Sequence, residues 1–450
     1  MPGRFHGQKA VLARMGNFFS SGWFVEGDET SNASRRALVM HNVTANVSAN
    51  LIGGNFFTGL LIILQADDAF IGLVNILVFS ANLLQLFTPM LLERFDRRKT
   101  MLIVVRVIIH LINIVFTGLI PFMPASTHTR LIFLGFSVLI VNALNAFNAP
   151  GFSVWHIAHV PPSVRVQYFS VVSMLNGIFV AVFNLIGSGV VDHFKSAGAE
   201  LTGLTVLRVA ALIISIYDIW LLTRIKELPP APHTRINLKS LFTEPINHPV
   251  YLRTALIAVL WSLVVNMPGS FYSVYLLKEL QVSYSYLNLI ASLNVVVLVL
   301  LTFVWRKVYL KHNWLKPLGI AVLALAPHYA VLAFVSDGLL FLYPIGVIWS
   351  FICSSAINLG FTNLSFINIP RENQTLYVGF YSTANSLAAL AAASLARAFV
   401  TRLQGLRFTL LGVPFGEKQL LMLVVGALMV GVGFVILRIA RVNKLQGLEH

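Results

Sequence analysis

Twelve stretches of about 20 mostly apolar residues, the length that crosses a bilayer as a helix, recur along the chain. They fall at 38–64, 70–92, 100–123, 131–151, 167–190, 204–223, 252–277, 285–305, 317–335, 339–363, 377–400 and 419–437. In lipid every peptide group must find its partner within the protein, so only helices and closed barrels span. The runs here are continuous rather than alternating, and about twice the length of a barrel strand. Helices are therefore expected. Only 11% of residues are charged, against about 25% in a soluble domain. So few charges cannot coat 450 residues in water. That excludes a soluble enzyme, a nucleic-acid-binding protein and a disordered chain.

Most connections between the runs are short. The exception is 224–251, with Pro229, Pro230, Pro232, Pro245 and Pro249. It divides the chain into a tail at 1–34, a six-span half at 35–223, a linker at 224–251, a second six-span half at 252–440 and a tail at 441–450. Residues 1–34 lack an apolar core behind a basic start, so no cleavable signal peptide is expected. Twelve spans place both termini on one side. With that side cytoplasmic, the inner segments hold 23 of the 32 Lys and Arg residues. The inner face then carries +14, the outer face 0 and the membrane +1, which accounts for the net +15 without a polyanionic partner. A plasma-membrane location with cytoplasmic termini follows as the expectation. The one cysteine, Cys353, lies in an apolar run and permits no intrachain disulfide.

The two halves repeat. Pro161, Tyr168, Ser173 and Asn176 match Pro370, Tyr377, Ser382 and Asn385 at one constant offset, and that offset also carries Arg97-Arg98 onto Arg306-Lys307. An even number of spans per half makes the repeats parallel, about an axis along the membrane normal. Between spans 2 and 3 the sequence reads Pro89-Met90-Leu91-Leu92-Glu93-Arg94-Phe95-Asp96-Arg97-Arg98-Lys99. With these features the chain resembles the major facilitator superfamily over residues 35–442. The family's signature there is G-x-L-a-D-R-x-G-R-R/K. Glu93 holds the acidic position, Arg94 the first basic one, and Arg97-Arg98-Lys99 the basic end, while Pro89 and Asp96 replace its glycines. The stretches 242–249 and 275–280 also look like the family's passage into and out of span 7. The resemblance implies alternating access around a cavity lined by spans 1, 4, 7 and 10. It also implies a cytoplasmic latch built from Glu93, Arg94, Arg97 and Arg98. The Gly-Pro motif of many drug antiporters is not evident in span 5.

Polar side chains inside spans are costly and usually face protein or water. Span 1 carries Asn42, Asn46 and Asn50 one turn apart, with Gly53 and Phe57 continuing the stripe. Span 4 carries Asn142, Asn145 and Asn148. Span 7 has Asn266 before Pro268-Gly269, an expected break in the helix. Span 10 has Ser354, Ser355 and Asn358. Asn46, Asn50, Asn142, Asn145, Asn266 and Asn358 are the substrate-binding candidates. Amides also join helices to one another, so each has a competing structural reading.

Intramembrane charge is scarce. Asp218 is the one carboxylate within a span, and Arg106 lies at a similar depth. A structural ion pair between them, holding spans 3 and 6 together, is the favoured expectation, with a coupling site the alternative. His41, His110 and His328 also lie in spans and are read as hydrogen-bonded structural residues. His156-x-x-His159 has metal-like spacing but no third ligand nearby, so no metal site is expected. Trp155, Trp220, Trp305 and Trp314 are read as interfacial anchors. Arg397 and Arg402 offer a weak outer attraction for an anion.

No nucleotide-binding motif is present, and no cofactor is expected. The expected function is secondary transport of a small neutral, zwitterionic or amphipathic solute by a monomer in the lipid bilayer, with a coupling proton an option. The alternatives are a multidrug efflux antiporter of the same fold, with Phe271, Tyr272 and Trp349 as aromatic lining, and a polytopic membrane enzyme. The enzyme reading lacks the short-spaced His/Asp cluster such enzymes carry, beyond Asp192-His193 in an outer loop.

Overall fold

In the computed structural model, residues 25, 28–87, 98–161, 164–227, 243–312, 314–364 and 374–445 are described. Eleven helices among them are long and apolar enough to cross a membrane. A twelfth, Tyr284–Lys311, contributes the shorter apolar segment Tyr284–Leu298. The protein is thus a twelve-span membrane protein whose spans are all helical.

Several helices outrun the apolar stretches that specify them. Span 4 runs Thr127–His159, 33 residues with Pro150 inside. At 1.5 Å per residue that is about 50 Å, well beyond a hydrocarbon layer of about 30 Å. Span 1 is the helix Glu29–Ile52, which stops at Gly53 and resumes as Gly54–Ile63. Gly54 takes a φ of +52°, a left-handed conformation that a side chain would strain. Span 7 breaks where its sequence requires. The helix Pro249–Val265 ends at Asn266 and a new helix, Gly269–Val274, begins after Pro268. A wide turn, Tyr275–Glu279, completes that span. Span 2 starts on Asp67, whose carboxylate accepts from Phe70 N at 2.7 Å. Span 8 starts on Ser283, whose hydroxyl accepts from Tyr286 N at 3.2 Å.

The repeat has a structural counterpart. Span 1 packs on span 5 (Arg165–Ser196) and span 6 (Glu200–Arg224); span 7 packs on span 11 (Gln374–Arg402) and span 12 (Glu417–Leu445). Tyr168 and Tyr377, the repeated tyrosines, are each the fourth residue of their helices. Both are buried. Tyr168 lies in a core with Leu38, Leu102, Phe152, Trp155 and Leu222. Tyr377 lies against Tyr251, whose hydroxyl donates to Tyr377 O at 2.6 Å.

The chain forms two compact units. One comprises residues 1–56, 87–123 and 144–233; the other comprises 57–86, 124–143 and 234–450. The second unit also holds a feature outside the spans. Phe408–Leu410 and Val413–Phe415 pair as a short antiparallel hairpin in the loop before span 12. Its turn, Leu411-Gly412, has φ of +52° and +82°, the positive pair that suits the right-handed twist of a two-residue hairpin.

Candidate functional site

In the first unit, span 1 turns most of its apolar residues inward. Leu38, Val39, Val43, Val47 and Leu51 are buried. The opposite face carries Asn46, Ala49 and Asn50, all exposed, with Asn42 and Gly53 half-buried beside them. The helix therefore presents amides where a lipid-facing helix would present leucine. Their hydrogen bonds define what they offer. Asn46 donates to Asn42 O at 2.7 Å and to Asn42 Oδ1 at 3.1 Å. Asn50 donates to Asn46 O at 2.9 Å. Each amide thus spends donor capacity on its own helix and keeps its carbonyl oxygen as an acceptor. Asn42 differs: its Oδ1 also accepts from Asn176 Nδ2 of span 5. It joins two helices.

The other candidates divide between the units. Asn145 is half-buried in the first. In the second, Asn142 is half-buried and donates to Val138 O at 2.8 Å. Asn266 closes the first part of span 7, donating to Ser262 O at 2.7 Å and Ser262 Oγ at 3.2 Å. Asn358 is exposed on span 10. Glu93, Arg94 and Arg97 lie outside the described residues, and of Arg98 only its place as the first residue of a helix is described. Lys99, the last basic residue of that stretch, donates to Thr223 O at 2.8 Å and Ile225 O at 2.6 Å, where the helix of span 6 ends. A cation there meets the unpaired carbonyls of a helix C-terminus.

Arg106 and Asp218 come together, with Arg106 Nε 3.5 Å from Asp218 Oδ2. They are not alone. His41 Nδ1 of span 1 lies 2.6 Å from Asp218 Oδ1, and Thr44 Oγ1 donates to the same oxygen at 2.8 Å. His110 Nε2 of span 3 lies 3.7 Å from Asp218 Oδ2. The His156 ring of span 4 sits edge-on to His41, 5.9 Å between centroids. Asp218 is fully buried. Sequence reading joined Arg106 to Asp218 but not the histidines to them, because these residues come from four spans and His41 precedes Asp218 by 177 residues.

In the second unit a single cation gathers three carboxylates. Lys418 Nζ, at the start of span 12, lies 2.6 Å from Glu279, 3.1 Å from Asp68 and 3.2 Å from Glu417. This cluster escaped the sequence reading, since each member sits at a span end where isolated charges are ordinary. Arg397, read from the sequence as a weak outer attraction for an anion, donates its Nε to Ala69 O at 2.9 Å and lies across Gly72. Phe271 and Tyr272 are buried, and Tyr272 donates to Leu332 O at 3.2 Å. A cavity of about 650 Å³ between spans 2 and 4 is lined by Phe70, Leu73, Leu77, Leu131 and Ile132, with Asp67 and His128 among its few polar residues. That lining suits an acyl chain better than a polar solute.

A profile of the Major Facilitator Superfamily matches residues 43–393. No curated protein matches the sequence. Among solved structures, a mutant of the nucleoside transporter NupG superimposes with a TM-score of 0.69 at 11% identity, over 90% of this chain and 99% of that one. A bacterial homologue of the iron transporter ferroportin, in an inward-facing state, gives 0.67 at 15% identity, over 92% and 99%. The D-xylose-proton symporter gives 0.64 at 12%, over 90% and 96%. At these identities the likeness is one of fold. Twelve apolar spans in that fold define a multi-pass membrane protein of the transporter class. The chain belongs to the Major Facilitator Superfamily.

Proposed function

We propose that this protein is a secondary transporter that carries a small neutral, zwitterionic or amphipathic solute by alternating access. The observation that carries the reading is the exposed amide face of span 1, Asn46, Ala49 and Asn50. A polar face within a span is stable where it meets water or protein rather than lipid. Its amides have turned donors inward, so the face offers acceptors and suits a solute rich in O–H and N–H groups. It holds no carboxylate to draw in a strong cation. Asn145, Asn142, Asn266 and Asn358 are the further contributors we assign to the substrate path. The multidrug alternative loses two of its three aromatic residues to packing, since Phe271 and Tyr272 are buried.

We place both termini and residues 93–99 in the cytoplasm of a cell whose plasma membrane the protein spans. Lys418, Arg397 and the hairpin then lie outside. There Lys418 ties Asp68 of span 2 to Glu279 of span 7, and Arg397 straps span 11 to span 2. These contacts join the first half to the second, and we assign them to holding the outer ends closed. The test is uptake into proteoliposomes of radiolabelled uridine, D-xylose and a dipeptide, one example each of the nucleosides, xylose and peptides named for proteins of this fold. Accumulation of one, weakened by Asn46→Ala, is expected. Equal uptake by Asn46→Ala and wild type would remove the site assignment, and no uptake by wild type would remove the substrate class.

A further inference from the structure

The ion pair of Arg106 and Asp218 needs no histidine, yet His41 and His110 both approach the carboxylate, and His156 lies against His41. With the imidazoles neutral, the carboxylate and the guanidinium already cancel. The hydrogen bonds around the carboxylate are also uneven. Asp218 Oδ1 is well served by His41 and Thr44. Asp218 Oδ2 faces Arg106 Nε and His110 Nε2 at 3.5 and 3.7 Å without a hydrogen bond to either. Among the described residues, Arg106 Nε, His110 Nε2, His156 Nε2 and Asp218 Oδ2 are all buried without a hydrogen-bond partner. Native interiors seldom leave such groups unmatched, and each case calls for a reason. A well-made static bridge would have closed on itself.

We propose that Asp218 with His41 and His110 is a proton-binding site, in which an added proton competes with Arg106 for the carboxylate. The proposal rests on the transporter reading above. The balance of the step is simple. Neutral His41 holds its proton on Nδ1 and donates it to Asp218 Oδ1. An incoming proton binds the lone pair of His41 Nε2, no covalent bond breaks, and the site gains one positive charge. Asp218 then faces two full cations, imidazolium and guanidinium, and can neutralise one. The closer partner is His41, at 2.6 Å against 3.5 Å for Arg106. The grip of span 6 on span 3 is what weakens.

The surroundings fit this assignment. Span 1 supplies His41 and, six residues earlier, Arg35, which is engaged by Asp28 and His159 O. Span 3 supplies Arg106 and His110. Span 4 supplies His156 and, one turn on, His159, whose Nε2 meets Lys226 O just past the end of span 6. Span 5 keeps its ionisable groups, Arg165, Tyr168, Asp192, His193 and Lys195, near its ends. Span 6 adds Arg208, ten residues from Asp218 and bonded to Asn113 O, and Arg224, which lies over Trp220. No second carboxylate among these groups reaches Asp218. His156 stands beside His41, 5.9 Å between ring centroids, while both ring nitrogens of His159 are held by backbone carbonyls, Trp155 O and Lys226 O.

The experiment uses the full chain in phosphatidylcholine–phosphatidylglycerol nanodiscs, with the proton itself as the probe. Histidine labelled with ¹⁵N in the ring is followed by solid-state NMR from pH 9 to pH 5. One resonance, absent in His41→Gln, should convert from neutral imidazole to imidazolium. In parallel, a cysteine at Thr100, the exposed start of span 3, is labelled in a Cys353→Ala background. Measured as a ratio to the same cysteine in Asp218→Asn, which carries the reagent's own dependence on the thiolate, labelling should be at least threefold faster at low pH and equal at high pH. His110→Gln serves as a second variant if His41→Gln misfolds, and should displace or remove the transition. A His41 ring held in one charge state throughout overturns the site; a titrating ring with a pH-independent labelling ratio overturns the competition with Arg106. Uptake at equal rates at pH 5.5 and 7.5 with a silent His41 defeats this inference and leaves the transporter reading standing. A titrating His41 in a protein that accumulates no solute does the reverse.

Discussion

Asn46 and Asn42 are the same residue type one turn apart, yet their surroundings assign them different work. Asn46 is exposed and bonded within its own helix, while Asn42 accepts from Asn176 across to span 5. Removing an amide that contacts solute costs about 0.5–1.5 kcal/mol, or about 2- to 13-fold in affinity. Asn46→Ala and Asn50→Ala should therefore weaken substrate and leave the melting temperature nearly unchanged. Asn42→Ala should do the opposite, losing an interhelical bond worth about 0.6 kcal/mol. Paired binding and melting curves for the three variants decide it; a lowered melting temperature with unchanged affinity at Asn46 would make it structural too. Composition and spacing picked out these amides but could not sort them, because sorting depends on a neighbour more than a hundred residues away. The tryptophans show the same limit. Trp220 is exposed at a helix end, with the Arg224 guanidinium 4.9 Å over its ring, as an interfacial anchor should be. Trp155 is buried against Phe152 and His159 in the core of the first half.

The helices follow their sequences most closely where backbone chemistry leaves little choice. Pro268-Gly269 breaks span 7, because proline lacks the N–H that the helix needs and glycine accepts a φ of +45°. The hairpin at 408–415 was equally legible in principle, as a Leu-Gly turn between short apolar arms, but a search for membrane-length runs passes over three-residue strands. The strap across span 2 was not legible at all. A Cβ added at Gly72 would come within 2.5 Å of Arg397 Cγ and 2.7 Å of Arg397 Cβ, close to the backbone, where the side chain cannot easily yield. Gly72→Val should then cost about 1–3 kcal/mol by overpacking, read as a lower melting temperature. Arg397→Ala in the same chain should restore part of the loss, despite giving up the bond to Ala69 O. If the double variant melts no higher than Gly72→Val alone, the arginine is not what the glycine accommodates.

For the molecule as a whole, the count of spans and the family could be read from the chain because both depend on apolar length and on a few basic residues beside the membrane. Orientation is the property most directly open to test. With Cys353→Ala as background, a cysteine at exposed Thr100 should react only from the cytoplasmic side, and one at exposed Ser126 only from outside. The reverse pattern would invert every assignment of inner and outer made above. The long-range clusters could not be read in the same way. Asp218 and Lys418 are ordinary residues in one dimension, and their partners are fixed only once the spans are packed.

Lys418 has three acids about it where one would balance its charge. Losing any one of Asp68, Glu279 and Glu417 leaves Lys418 two partners within reach, so stability should change little, although the loss of Asp68 alone already frees span 2 from the cluster. Losing two should be felt far beyond the sum of the single effects. Random drift can therefore wander through any one of these positions, while the combination stays under selection. A stability scan of one substitution at a time would score all three acids as dispensable to the fold, and only pairwise libraries would expose the dependence they share.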